Sequence, residues 1–280
     1  MPFSDPGRSH TLTGIFRYHR GFRSRFLPSE RDIIVYLPPG YEEPRNANRR
    51  YPVLYLQDGQ NCFDGATSFV PGPDGEWQAD ETAERLIRAG TIEPLILVGV
   101  YNAGAERINE YTPTRSAERN IGGQADRYGR LLVEEIKPLM DRTYRTKTGA
   151  QNTGLGGSSL GGLVTLQLGL DHPGTFGKLA VVSPSVWWDH LAIVRRVRAV
   201  RQKPAAMHIW MDMGTNEGEA RSARQQLEMA RLLRRALIAK GWNENDDLRY
   251  FEAEGGEHNE RAWAARFPAI LTYLFPAAKK

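Results

Sequence analysis

The chain has 280 residues, 40% hydrophobic and 25% charged, a globular composition large enough to bury a substantial core, which excludes a disordered or fibrous chain. Its 37 basic and 33 acidic side chains leave a net charge of only +4, too weak a balance to indicate nucleic acid as a partner. One cysteine, Cys62, excludes an internal disulfide, and no apolar stretch approaches the length of a membrane span.

The opening residues Met1-Pro2-Phe3-Ser4-Asp5-Pro6-Gly7-Arg8 lack the apolar core of a signal peptide, so the expectation is a cytoplasmic protein. Residues 11–27 read as an N-terminal hairpin or edge strands. From about residue 30, β-rich runs at 33–37, 53–56, 95–100, the approach to 154, 179–182, 208–211 and 248–251 predict strands. Helical spacing fills 81–89, 126–140, 160–170, 191–200, 220–240 and 260–274. This alternation predicts an α/β fold with helices on both faces of a mostly parallel sheet. No repeat or low-complexity linker divides the chain, so residues 1–280 are expected to form one catalytic domain. Two long connections, 58–78 and 102–124, follow predicted strands and should emerge at the carboxyl edge of the sheet, where open α/β folds bind ligands. The densest basic run, 195–203, has apolar residues at 193, 194, 197 and 200, which suits a buried helix stripe with arginines facing solvent.

Within residues 151–162, Gly157-Ser158-Ser159-Leu160-Gly161 fits G-x-S-x-G, the strand-to-helix elbow that exposes a nucleophilic serine. Counting from Ser159 places glycines two residues away on both sides; counting from Ser158 places Leu160 at one flank. Ser159 is therefore the candidate nucleophile. Its hydroxyl needs a base, and the base an acid on its far nitrogen, in the chain order serine, acid, histidine. Of six histidines only His258 lies in a turn between a late predicted strand and the terminal helix. For the acid, Glu217 sits in the loop after the 208–211 strand, whereas Asp212 is expected still within the strand, so Glu217 is favoured. The developing oxyanion calls for two backbone N–H donors: that of Leu160, next to the nucleophile, and that of Gln60, after the sharp turn Gly59 permits. The glycine cluster lacks the Gly-Lys-Ser/Thr of a phosphate loop and the third glycine of a dinucleotide motif, so neither nucleotide motif is present.

With these residues placed, the chain resembles the putative-esterase family of α/β hydrolases, which includes enterochelin, feruloyl and acetylxylan esterases, S-formylglutathione hydrolases and mycolyltransferases. The resemblance is carried from about residue 24 to 276 by the Val35-Tyr36-Leu37-Pro38-Pro39-Gly40-Tyr41 and Asp58-Gly59-Gln60-Asn61-Cys62-Phe63-Asp64 segments, and by Arg107-Ile108-Asn109-Glu110-Tyr111-Thr112-Pro113. The elbow, Ser183-Pro184-Ser185-Val186-Trp187-Trp188, and Glu257-His258-Asn259-Glu260 with Trp263 complete it. It implies an α/β-hydrolase fold, a triad of Ser159, Glu217 and His258, donors at Gln60 and Leu160, no metal and no cofactor. Many relatives carry histidine before Asp-Gly-Gln-Asn; here the residue is Gln57.

The expected activity is serine carboxylic-ester hydrolysis through an acyl-enzyme, on small or aryl acyl esters, some linked to sugars. Its rivals are acyl transfer, hydrolysis of a siderophore trilactone and, from another class, a non-catalytic binding protein. Trp187 and Trp188, read as continuing a strand, should point to opposite faces, one to the substrate and one to the core. Arg107 is a candidate for an anionic or hydroxyl-rich group, or else pairs with Glu110 to order its loop. The expected partner is a small ester; no nucleic acid or membrane partner is expected, and the oligomeric state is unassigned.

Overall fold

In the computed structural model, residues 10–278 are described. Eight strands form one sheet: β1 (Ile15–Phe22), β2 (Arg31–Leu37), β3 (Val53–Gln57), β4 (Ile96–Val100), β7 (Thr153–Ser158), β8 (Lys178–Val182), β9 (His208–Gly214) and β10 (Leu248–Ala253), while β5 (Arg115–Ser116) and β6 (Ile121–Gly122) pair as a separate ribbon. The order across the sheet is β1-β2-β4-β3-β7-β8-β9-β10. Only β2 runs against its neighbours, pairing antiparallel with both β1 and β4; the remaining pairs are parallel. The central strands β3, β4 and β7 are buried at every position, which explains why they read as continuous apolar or glycine runs rather than alternating ones. Residues 11–27 supply one edge strand, β1, whose hairpin partner is β2 itself.

Helices α1 (Ala79–Arg88) and α8 (Glu260–Leu274) cover one face, over a core that includes Leu54, Leu97, Trp263 and Phe267. The other face carries α3 (Ala125–Arg130), α4 (Lys137–Thr143), α5 (Leu160–Asp171), α6 (Trp188–Arg198) and α7 (Ala220–Ala239), around Val98, Leu155, Leu163 and Leu233. A short α2 (Arg107–Glu110) lies in the connection after β4. The helix expected over 126–140 is interrupted by a π-turn, Leu131–Ile136, just before Pro138, a residue with no N–H for the α-helical ladder. α5 is buried from Leu160 to Leu170, and its Gly169 packs so closely that a Cβ there would lie 2.4 Å from Leu179. The basic run behaves as its spacing predicts: Ile193, Val194, Val197 and Val200 are buried, while Arg196 pairs with Asp171 at 2.9 Å and Lys203 with Asp247.

Among the described residues no helix is long and apolar enough to cross a membrane. Cys62 is buried, and burial pushes its thiol well above the usual range.

Candidate active site

Every sequence-predicted chemical group lies just past the carboxyl end of a parallel strand. Ser159 follows β7 directly and caps α5 with φ 58° and ψ −121°, a backbone that is unusual for a side-chain-bearing residue. Its N–H donates to Val182 O at 3.1 Å, and its carbonyl accepts from Leu163 and Ser185 at 3.0 Å each. The surrounding glycines leave room for this elbow. A Cβ on Gly157 would sit 2.7 Å from Gln57, and one on Gly162 2.7 Å from Val182 O; Gly161 is less crowded, at 3.2 Å. Both serines border one cavity, but Ser158 is the last, buried residue of β7, while Ser159 is half-buried.

His258 stands in the turn after β10, before Asn259, whose side chain caps α8 by accepting from Ala262 N at 2.9 Å. Its Nε2 lies 3.0 Å from Ser159 Oγ and its Nδ1 2.7 Å from Glu217 Oε2. The imidazole is 41% exposed and the carboxylate 2%, so the ring bridges a buried acid and a solvent-facing hydroxyl. Trp263 meets the ring edge-on, centroids 5.0 Å apart.

Glu217 is held from behind. Its Oε1 accepts from Gly214 N at 2.7 Å and from the Ser183 hydroxyl, and the Arg266 guanidinium lies 3.8 Å away. Arg266 also donates to Ser183 Oγ at 3.1 Å and to Asp212 Oδ1 at 2.9 Å. Asp212 takes Trp210 Nε1 and Ser183 N besides, so the strand aspartate is consumed by this buried network and makes no contact with His258. Sequence reading missed Ser183 and Arg266. Arg266 had left one signal, a cation on the otherwise apolar stripe 263, 267, 270, 271 and 274 of α8.

Gln60 lies in the tight turn Gly59–Asn61 after β3, and Leu160 opens α5; Gln60 lines the same cavity as Ser159. That cavity, of about 600 Å³, is also bordered by Gln57, Asn61, Phe69, Trp77, Arg107 and Glu260. Asn61 Nδ2 donates to Glu260 Oε1 at 3.0 Å. Burial pushes the Glu260 carboxyl up, and the nearby Asp58 charge acts in the same direction. Gln57 Oε1 accepts from Tyr128 Oη.

Arg107 reaches the cavity, but not through a pair with Glu110. Its Nε and Nη2 donate to the two oxygens of Asp58, both at 2.7 Å, while Glu110 is buried against Arg31 at 2.8 and 2.9 Å. Burial disfavours the guanidinium charge, and the Asp58 carboxylate overcomes this, holding its pKa above the ordinary value.

A second, smaller cavity of about 290 Å³ meets Ser159 and His258 from the other side and includes Ser185, Trp187, Ser222 and Gln226. The two tryptophans do not continue a strand: β8 ends at Val182, Trp187 lies in the turn before α6, and Trp188 opens α6. They still diverge. Trp187 is half-buried, faces the cavity and carries Arg119 4.9 Å over its ring, whereas Trp188 is 1% exposed and donates to Thr114 O at 3.0 Å.

Among the described residues the acidic group close enough to hold a cation is Glu76, Asp80 and Glu81, on and just before α1. Burial pushes Glu76 up to about 7, and burial with the adjoining Glu81 pushes Asp80 up to about 9.

Residues 24–274 match the family described as Putative esterase. Over 263 residues the chain is 25% identical to the uncharacterized protein YbbA of Bacillus subtilis, covering 91% of this chain and 97% of that one. It is 30% identical over 161 residues to the ferri-bacillibactin esterase BesA of the same organism, covering 52% of each. The BES protein from Bacillus cereus has the same fold, with a TM-score of 0.72 at 20% identity over 96% of this chain and 97% of that one. A strand-to-helix serine elbow on a mostly parallel sheet, matched by the family over nearly the whole chain, leaves one assignment: the chain belongs to the putative-esterase family and is a carboxylic-ester hydrolase of α/β-hydrolase fold.

Proposed function

We propose that the protein hydrolyses small or aryl acyl esters through a covalent acyl-enzyme on Ser159, with His258 as general base and then acid, and Glu217 as the acid that orients it. The observation that carries this reading is the continuous chain from Ser159 Oγ to His258 Nε2 at 3.0 Å and from His258 Nδ1 to Glu217 at 2.7 Å.

His258 takes the hydroxyl proton as Ser159 Oγ attacks the ester carbonyl, and the imidazolium so formed is stabilised by Glu217. The oxyanion is met by the backbone N–H groups of Gln60 and Leu160. Collapse expels the alcohol, which takes the proton from His258 Nε2. Water then enters, gives a proton to the same nitrogen as its oxygen bonds to the acyl carbon, and the Ser159 Oγ–acyl bond breaks with that proton passing from His258 to Oγ, releasing the acid and free Ser159. The larger cavity, with Trp77 and Phe69 on its walls, suits an apolar or aromatic group, and the smaller polar cavity with Trp187 suits the other half of the ester. In this reading residues 1–280 act as one catalytic domain in the cytoplasm, without metal or cofactor.

The similarity to BesA supports a second reading, in which the natural ester is a siderophore trilactone. Both use the same chemistry, and acyl transfer differs only in the acceptor. The test is a panel of aryl esters of increasing acyl length, hydroxycinnamoyl sugars and a catecholate trilactone, run with and without an added acceptor alcohol. Turnover of aryl esters that Ser159→Ala abolishes supports the proposal; turnover that survives this change overturns it.

A further inference from the structure

The connection after β4 braces the turn that would donate the Gln60 N–H. Asp58 opens that turn in the left-handed region, φ 54° and ψ 46°, which is costly for aspartate and persists only where its surroundings fix it. Four contacts do so. Arg107 clamps both Asp58 oxygens, Asn102 Nδ2 donates to Oδ1 at 2.7 Å, and Asp58 N donates to Tyr111 Oη at 3.2 Å. From the far end of the turn, Gln60 Oε1 accepts from Asn102 N at 3.2 Å. Between these ends Gly59 lies flat on β4; a Cβ there would be 2.4 Å from the Gly99 carbonyl carbon. The brace is itself anchored. Arg107 opens α2, and Glu110 at the other end of α2 is tied to Arg31 of β2 by two hydrogen bonds in a fully buried pair.

We infer that Arg107 is a positioning residue: through Asp58 it sets the turn whose backbone stabilises the oxyanion, and it does not bind a substrate anion. The Nε–Nη2 edge of the guanidinium is spent on Asp58, so a substrate carboxylate taking that two-bond edge would have to displace an ion pair with two bonds of 2.7 Å. A turn displaced by a fraction of an ångström weakens a bond made only in the transition state, so the loss falls on kcat rather than on KM. The inference rests on the proposed acyl-enzyme mechanism.

The test compares Arg107→Ala, Arg107→Lys and Asp58→Asn with the wild type on a neutral aryl ester and on a matched ester whose acyl group ends in a carboxylate. Expected for Arg107→Ala is a kcat loss of roughly 10–100-fold on both esters with KM nearly unchanged, less than the full loss of an oxyanion donor. Millimolar guanidinium should restore part of kcat, and Arg107→Lys should recover little, because one ammonium cannot replace the two parallel bonds. Asp58→Asn, which tolerates the left-handed backbone, should show the same kcat loss and covers the case in which Arg107→Ala fails to fold. Unchanged kcat on the neutral ester, with KM raised only for the anionic one, would overturn the inference and make Arg107 a substrate-binding residue. Ser159→Ala is run alongside. If it retains turnover, the mechanism falls; if it loses turnover while Arg107→Ala and Asp58→Asn keep kcat, the inference alone falls.

Discussion

Arg266 donates to Asp212 at 2.9 Å from within the core and, with Trp210 Nε1 and Ser183 N, engages the carboxylate that does not face His258. With Asp212 engaged, Glu217 alone presents an oxygen to the imidazole. Glu217→Gln should therefore lower kcat by about 10³–10⁴-fold while the protein stays folded, as when a triad acid is replaced by its amide. Asp212→Asn should do the opposite: it removes the buried charge that Arg266 pairs with at 2.9 Å, costing about 3–5 kcal/mol of stability, and the protein that remains folded keeps most of its kcat. Steady-state kinetics beside denaturant unfolding separates the two, and a kcat collapse at Asp212→Asn in folded protein would transfer the role.

The adjacent serines should part equally clearly. Ser159→Ala should remove turnover by up to about a millionfold, and Ser158→Ala, a buried strand end, should leave most of it. Comparable losses at both positions would contradict the geometry of the elbow.

Trp188 fills the core and Trp187 faces the smaller cavity, so their truncations should have different readouts. Trp188→Ala is expected to destabilise the fold by about 3–5 kcal/mol. Trp187→Ala should lower kcat/KM for bulky esters while leaving Tm almost unmoved. Equal shifts in Tm would assign both rings to packing.

Asp80 gives a pH test of stability. Its folded pKa, pushed up to about 9, exceeds that of the unfolded chain, so between the usual carboxylate range and pH 9 the folded state holds more protons and its stability falls as pH rises. Asp80→Asn keeps an acceptor for Thr13 N and removes that titration. Its Tm should exceed that of the wild type by roughly 2–6 °C at pH 9, with the gain shrinking toward pH 5. An offset independent of pH would contradict the assignment.

What was legible in the sequence was local. Gly157 announces the elbow around Ser159 because a Cβ there would lie 2.7 Å from Gln57, and His258 is marked by its place between the last strand and the last helix. Glu217 could be ranked above Asp212 from loop position alone. What escaped depends on contacts distant in the chain. Ser183 and Arg266 join the site across 34 and 83 residues, and Arg107 meets Asp58 across 49, where the sequence had offered the nearer Glu110. The tryptophan pair was read as strand because the turn after β8 is made by Ser183, whose φ of 40° is a tertiary outcome rather than a residue preference. The π-turn before Pro138 shows the same limit, since helical spacing continues through it.

Passage of the acyl group through Ser159 Oγ defines the proposed mechanism. Its most direct measurement is peptide mass spectrometry of enzyme quenched in acid during turnover of an activated aryl ester. The expected result is one acyl adduct, on the peptide carrying Ser159 and fragmenting to that residue, absent in Ser159→Ala. An adduct on Ser158, or steady turnover with Ser159 unmodified and Ser159→Ala still active, would contradict it.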